Sequence, residues 1–95
     1  MASKLRVDYE ALGTSSAKLI EQGEIFEECI NVMTSEVEAL PDIWEADTCD
    51  RYVQQYFDNK EALTEVRDLI HDLAIQMQTI SDNFRDADVR MAEEM

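Results

Sequence analysis

Helix-breaking residues are scarce in this sequence, which contains two glycines and one proline. Glycine-rich phosphate-binding loops are therefore absent. No stretch shows the sustained alternation of apolar and polar residues that is typical of strands. The one strong break is Leu40-Pro41-Asp42-Ile43-Trp44. This pattern predicts two long helices, one on each side of Pro41.

Long apolar runs are also missing. No segment approaches the roughly 18 apolar residues that a membrane-spanning helix needs. The first residues, Met1-Ala2-Ser3-Lys4-Leu5, lack the apolar core of a signal peptide. We therefore expect no membrane insertion, and we expect any export to use a route other than the general secretory one.

Basic side chains are few, because 8 lysines and arginines stand against 22 acidic residues, for a formal net charge of −14. Such a charge repels polyphosphates and anionic lipid surfaces, so we expect no nucleic-acid partner. Hydrophobic residues make up 45% of the chain, which is too apolar for a disordered protein. A lone hairpin of this length buries little surface, so the composition predicts a folded acidic chain with a protein partner.

Apolar residues recur every seven positions on both sides of Pro41, as in a coiled-coil a/d pattern. The first half carries one stripe of Leu5, Leu12, Leu19, Phe26, Met33 and Leu40 and a second of Tyr9, Ser16, Gly23, Ile30 and Val37. The second half carries one stripe of Tyr56, Leu63, Ile70, Met77, Phe84 and Met91 and a second of Tyr52, Asn59, Val66, Leu73, Ile80 and Ala87.

These stripes predict an all-α fold: a single helical hairpin domain over residues 1–95. The first helix is expected over about residues 5–40, the turn over 41–43 and the second helix over about 44–91. Because the connection is short, the two helices are expected to run antiparallel.

Further apolar residues flank the stripes, so the apolar arc is wider than one hairpin can cover. An arc of this width is typical of a helix that is buried on two sides, which predicts that two hairpins form a four-helix bundle. The predicted hairpin or dimer seam contains Leu12, Ser16, Leu19, Gly23, Phe26, Ile30, Met33, Leu63, Val66, Ile70, Leu73, Met77 and Ile80. Because their side chains are small, Ser16 and Gly23 would allow the helices to approach closely at this seam. A local kink or a frayed helix end would also explain these residues.

Two cysteines, Cys29 and Cys49, invite a disulfide. In a hairpin that turns near Pro41, however, Cys29 faces a position near residue 55, which lies about 9 Å along the helix from Cys49. We therefore expect two free thiols that pack as small buried hydrophobic side chains.

Two short segments, Trp44-Glu45-Ala46 after the break and Phe84-Arg85-Asp86-Ala87-Asp88 near the C-terminus, resemble motifs of the WXG100 (ESAT-6-like) family of type VII secretion substrates. The family tripeptide Trp-x-Gly corresponds to Trp44-Glu45-Ala46, in which alanine replaces glycine. The family's export signal, Tyr-x-x-x-Asp/Glu, corresponds to Phe84-Arg85-Asp86-Ala87-Asp88, in which phenylalanine replaces tyrosine. Length, turn position and heptad layout extend the resemblance over nearly the whole chain.

The resemblance implies a dimerising hairpin that a secretion ATPase recognises in folded form and exports, without a cleaved signal peptide, from a Gram-positive-type bacterium. The chain would be a substrate or the co-secreted targeting partner of a larger effector. It would form a homodimer, or a heterodimer with another small helical chain or with the helical N-terminal region of a toxin. A cytoplasmic helical adaptor or chaperone unrelated to secretion is the alternative hypothesis.

Residues at the turn also predict how the second helix begins. Asp42 is a candidate N-cap with Glu45 completing a capping box, and Ala46 is expected in the first helical turn. Trp44 is expected to close the end of the bundle with its ring. Phe84 lies on a seam stripe, whereas Asp88 fits either a solvated charge or part of a recognition surface.

Catalytic chemistry is not predicted. Asp68 and His71 have the Glu-x-x-His-like spacing of bundle metal sites, but Ile70 occupies the seam and turns both away from the bundle centre. His71 is instead expected at the surface, paired with Asp68 or Asp72. We therefore predict no enzyme activity, no metal and no cofactor.

Overall fold

The computed structural model describes residues 7–94, and the side chain of Glu94 is not considered. Two helices account for nearly all of this part of the chain: α1 covers Tyr9–Ile43 (35 residues) and α2 covers Asp47–Glu94 (48 residues). Residues 7–94 contain no strand. The all-α, antiparallel two-helix hairpin is thereby confirmed, whereas its assembly into a four-helix bundle stays a prediction.

Asp8 sets the start of α1. Its side-chain Oδ1 accepts a hydrogen bond from the Ala11 backbone N–H at 3.0 Å, and its carbonyl accepts one from Leu12 at 2.9 Å. This is N-cap geometry, in which an aspartate satisfies backbone donors that have no partner within the helix. Residues 7 and 8 precede the helix. Leu5, where the helix was expected to begin, lies outside the described residues.

The turn lies three residues later than predicted. Pro41 and Asp42 belong to α1, which ends at Ile43, and the Trp44 N–H donates to the Leu40 carbonyl at 2.9 Å. A proline near the end of a helix removes one backbone hydrogen bond but does not prevent the preceding residues from being helical. The predicted turn at 41–43 and the Asp42 capping box are therefore wrong.

Ala46 provides the N-cap of α2 through its backbone alone. Its carbonyl accepts hydrogen bonds from the N–H groups of Cys49 at 3.0 Å and Asp50 at 3.4 Å, and α2 begins one residue later, at Asp47. Asp47 and Asp50 lie in the first turn, where negative charge interacts favourably with the helix dipole. The described residues contain no positive φ, so alanine fits where the family motif has glycine.

Contacts divide the hairpin into two compact units. Unit 1 combines Met1–Glu21 with Ile70–Met95, and unit 2 consists of Gln22–Leu69. In unit 1, Ser16 bonds to Ala74 and Ser81 bonds to Tyr9. In unit 2, Thr34 bonds to Tyr56. Each pair has Glu45 as its midpoint in the sequence, so the register follows the true turn and the facing positions predicted from Pro41 are displaced.

The helix–helix seam of α1 follows the predicted pattern for the most part. Leu12, Ser16, Leu19, Gly23, Phe26 and Ile30 are half-buried or buried. Met33 is exposed, and Thr34 takes its place against α2. The helix therefore faces its partner along the stripe of Ser16 and Ile30, with the leucine stripe to one side of it.

On α2 the two predicted stripes differ in burial. The stripe of Leu63, Ile70, Met77 and Phe84 is half-buried. Val66, Leu73 and Ile80 are exposed in the single chain and lie outside its helix–helix seam, so their place in a dimer seam stays a prediction. The seam instead uses a row of half-buried or buried residues that recurs every seven positions: Val53, Lys60, Arg67, Ala74 and Ser81.

Candidate interaction surfaces

Unit 1 is held together by small residues and by two serine hydroxyls that cross between its helices. Ser16 Oγ on α1 donates to the Ala74 carbonyl on α2 at 2.8 Å, and Ser81 Oγ on α2 donates to the Tyr9 carbonyl on α1 at 2.6 Å. Ser16 and Ala74 are fully buried and Ser81 nearly so. Since buried hydroxyls need partners, these bonds fix both the spacing and the register of the two segments.

Gly13 brings the two helices of unit 1 close together at the Ser81 level. A Cβ atom placed on Gly13 would lie 3.1 Å from Ser81 Oγ and 3.9 Å from Ser81 Cβ. The serine that bonds to Tyr9 therefore occupies space that a side chain at position 13 would need. The close approach that the sequence suggested for Ser16 and Gly23 thus occurs in this unit at Gly13 and Ser16.

Unit 2 has a more polar seam. The hydroxyls of Thr34 and Tyr56 lie 2.7 Å apart, and Thr34 also donates to the Ile30 carbonyl at 2.7 Å. Ile30 and Cys49 are the buried apolar residues among the described part of this unit. The half-buried Tyr56 thus connects α2 to α1 through its hydroxyl.

Arg67 connects the two helices of unit 2 at the surface. Its guanidinium lies 2.9 Å from Asp68 and 3.2 Å from Glu27 on the other helix. The hydrogen bond with Asp68, together with the charges of Asp68 and Glu27, raises the pKa of Arg67. Because the ion pairs are solvent-exposed, they contribute little stability. Asp68, one of the two aspartates predicted to pair with His71, pairs with Arg67.

The turn motif presents a partly exposed aromatic pair. Trp44 follows the last residue of α1, and its ring centroid lies 5.7 Å from that of Tyr52 in the second turn of α2. Ile43 beside it is 82% exposed, and Glu45 and Ala46 are also exposed. The Trp44 ring therefore packs on the first turns of α2 and leaves an apolar edge accessible at the turn.

Unit 2 leaves large apolar side chains exposed on one side of its seam. On α1, Met33 is three residues after the buried Ile30, and on α2, Val66 is three residues after the half-buried Leu63. In an antiparallel pair, an approximate twofold axis runs perpendicular to the plane that contains both helix axes. Residues at the same angle around each helix from the seam therefore lie on the same face of the pair. We call this the apolar face; its residues in unit 2 are Phe26, Cys29, Met33, Tyr52, Val66 and Leu69.

Unit 1 also has exposed apolar side chains three residues after residues of its seam stripe. Leu73 and Ile80, three residues after the half-buried Ile70 and Met77, are exposed, and Met91 near the end of α2 is 63% exposed. A seam with small buried side chains thus coexists with large exposed ones. This distribution is typical of a surface that another protein covers.

Phe84 and Asp88 of the terminal motif lie one helical turn apart on α2, within unit 1. Phe84 is half-buried and Asp88 is exposed. Arg85 and Asp86 between them are also exposed, and Arg85 pairs with Asp82 at 3.2 Å. Asp88 is therefore accessible to a binding protein, whereas Phe84 contributes to packing.

The two cysteines have different environments. Both thiols are free, as predicted. Cys49 is fully buried at the beginning of α2, but Cys29 is exposed, so its predicted burial is wrong. Cys29 lies one residue before the buried Ile30, and adjacent residues of a helix point about 100° apart, so its side chain lies outside the seam, on the apolar face.

Within residues 7–94, no group of three or more His, Cys, Asp or Glu side chains is arranged to hold a metal ion. His71 is exposed, as expected for a surface residue. Neither helix, over its described length, combines the length and apolar character that crossing a membrane requires. The features that remain to carry function are the apolar face, the aromatic turn and the exposed terminal carboxylate.

Comparison with known proteins agrees with these features. The model of the family described as "WXG100: Proteins of 100 residues with WXG" matches residues 4–89. No significant match was found among curated proteins or among solved structures. The family match spans most of the sequence, including the Trp44 turn and both helices. The chain therefore belongs to the WXG100 family of small helical proteins, which is associated with type VII secretion.

Proposed function

We propose that this protein is exported by a type VII secretion system, as a substrate or as the co-secreted targeting partner of a larger effector. It acts through helix–helix association and performs no catalysis of its own. The family match over residues 4–89 carries the proposal. The export machinery recognises the chain while it is folded and paired.

The exposed apolar residues support a role in association. In unit 2 the large side chains of Met33, Tyr52, Val66 and Leu69 are exposed on one face. Burying a side chain of this size contributes about 1.5–3 kcal/mol. A partner hairpin that covers the face would complete the four-helix bundle predicted from the width of the apolar stripes. The partner is a second copy or another helical chain.

The turn and the terminal motif support recognition by the secretion ATPase. Trp44 is partly exposed beside Tyr52, and Asp88 is exposed on α2. Both residues belong to the two segments of the sequence that resemble the family's motifs. A folded protein can present such groups without a signal peptide, since the recognised side chains come from helices that are already formed.

Deletion of the secretion ATPase tests the proposal. The protein is expected in the culture medium of the native strain and absent from the medium of the deletion strain, while its cytoplasmic level is maintained. A cytoplasmic reference protein controls for lysis. Equal amounts in both media would refute export by this system, and retention in the cytoplasm of both strains would favour a helical adaptor.

A further inference from the structure

The orientation of the Trp44 ring is not determined by the helices on either side of it. Trp44 follows the last residue of α1, and α2 begins three residues later, at Asp47. Its backbone is held, because its N–H donates to the Leu40 carbonyl at 2.9 Å. Outside a helix, however, a side chain can occupy more than one staggered rotamer. A contact from elsewhere in the chain is therefore needed to hold the indole in one position.

Tyr52 supplies this contact. Its ring centroid lies 5.7 Å from that of Trp44, with an angle of 35° between the ring planes. This distance falls within the range of about 4.5–7 Å over which aromatic rings attract one another. Tyr52 belongs to the second turn of α2, and the backbone of a helix restricts the rotamers of its side chains. A ring with a restricted position on α2 thus supports a ring in the turn.

Tyr52 contributes little to the helix–helix seam of the hairpin. Its side chain is exposed, whereas Tyr56, one helical turn later, is half-buried and bonds to Thr34 on α1. Trp44 remains 39% exposed while its ring contacts Tyr52. The pair therefore leaves part of the indole accessible, and the contact with Tyr52 determines the direction in which that part faces.

We infer that Tyr52 is a positioning residue, whose ring holds Trp44 in the orientation that the export machinery recognises; the inference rests on the proposed function. A side chain that is ordered before binding loses less conformational freedom in the complex, so binding is tighter. Recognition of the turn thus depends on a residue eight positions after Trp44, outside the Trp44-Glu45-Ala46 segment.

Fluorescence can test the position of the Trp44 ring directly, because the sequence contains one tryptophan. Tyr52→Ala removes the supporting ring, and Tyr52→Phe keeps the ring without its hydroxyl. Val66→Ala is the matched control, since it also shortens an exposed apolar residue of α2 on the same face, 14 residues further along. Circular dichroism and urea unfolding check that all three variants fold.

Tyr52→Ala is expected to release the indole. The fluorescence anisotropy of Trp44 should decay faster, and its quenching by acrylamide should rise by up to about 2.5-fold, the ratio of full exposure to the present 39%. Tyr52→Phe and Val66→Ala should match wild type in both measurements. In the native strain, export of Tyr52→Ala should fall by about two- to tenfold, the factor by which an aromatic pair shifts an equilibrium. Tyr52→Phe should be exported normally.

Unchanged Trp44 fluorescence in Tyr52→Ala, or normal export of that variant, would overturn the inference. An equal loss of export in Val66→Ala would do the same, because Tyr52 would then act through the apolar face and not through Trp44. Failure of Tyr52→Phe to be exported would also contradict it, since the ring is intact. Each of these results leaves the ATPase-dependent export of the wild type in place. Export that persists without the ATPase would instead refute the proposed function, and the fluorescence results would not change.

Discussion

Ser16 illustrates how one small residue determines helix spacing in unit 1. Its hydroxyl is buried and donates to the Ala74 carbonyl at 2.8 Å. Sequence reasoning placed Ser16 on the seam because of its heptad position. It could not identify the bond to Ala74, because a serine at such a position serves equally as a helix-bending residue or as a filler.

Replacing Ser16 with alanine is expected to lower the free energy of unfolding by about 1 kcal/mol, the usual contribution of such a hydrogen bond. Replacing it with leucine should cost about 1–3 kcal/mol or more, because the seam has no space for a larger side chain. Urea unfolding followed by circular dichroism measures both. Ser15, which is exposed, supplies the control, and Ser15→Ala should change stability by less than about 0.5 kcal/mol. Equal effects at the two serines would contradict the role of the bond.

Asp88 presents the opposite case, a residue whose effect on the fold should be small. It is exposed on α2. Asp88→Ala is therefore expected to change the free energy of unfolding by less than about 0.5 kcal/mol but to abolish export. Immunoblots of medium and cell fractions measure the loss. Asp72→Ala, which removes another exposed carboxylate of α2, should be exported normally. Normal export of the Asp88 variant would identify Asp88 as an ordinary surface charge.

Among the elements, the helices were predictable and their ends were not. Sparse glycine and a seven-residue apolar period predict two long helices with few alternatives. The end of α1 was placed at Pro41 because proline usually stops a helix, whereas the helix continues to Ile43. A sequence pattern cannot distinguish a proline that ends a helix from one in its last turn, since both lack the same N–H group.

Pro41→Ala tests where α1 ends. Inside a helix, proline costs up to about 3 kcal/mol relative to alanine, while its loss makes the unfolded chain more flexible at a cost of about 0.4–1 kcal/mol. Because α1 includes position 41, the helix contribution should win, and the free energy of unfolding should rise by about 1 kcal/mol or more. Denaturant titration measures the change. Ser35→Ala, at an exposed position of α1, reports the effect of helix propensity alone. A loss of stability in Pro41→Ala would indicate that α1 ends before residue 41 and that the turn begins there.

Arg67 shows why the second stripe of α2 was misplaced. Lys60 and Arg67 are charged, so the sequence pattern assigns their row to solvent, yet both are half-buried along the seam. Long basic side chains can bury their aliphatic stems while the charged group reaches water. Val66 and Leu73 satisfy the apolar pattern but face away from α1. Hydrophobic periodicity finds the faces of a helix but does not decide which apolar face its own hairpin uses.

For the whole molecule, little of the apolar surface is consumed by the fold itself. Among the residues whose burial the structure describes, Ser16, Cys49, Ala74 and Ser81 are buried and small, and Ile30 is the large buried one. Small cores give marginal stability, so association and folding should be linked. The width of the apolar arc in the sequence predicted this excess of exposed apolar surface.

Paired substitutions at Leu69 and Phe57 should separate association from folding. Leu69 is 65% exposed on the apolar face, whereas Phe57 is 37% exposed on the opposite side and packs edge-on against Tyr56. Leu69→Gln should leave the free energy of unfolding of the isolated chain within about 0.5 kcal/mol of wild type. It should nevertheless weaken the binding of a helical partner over this face by about 1.5 kcal/mol or more, which is at least about tenfold.

Phe57→Gln is expected to do the reverse, because it removes packing within the hairpin and nothing from the apolar face. Its isolated chain should be the less stable of the two variants, and its affinity in a titration with that partner should match wild type. Neither substitution alters the net charge, so electrostatic attraction is constant across the series. If both variants lost affinity in proportion to their loss of stability, association would depend on folding alone and the apolar face would have no separate role.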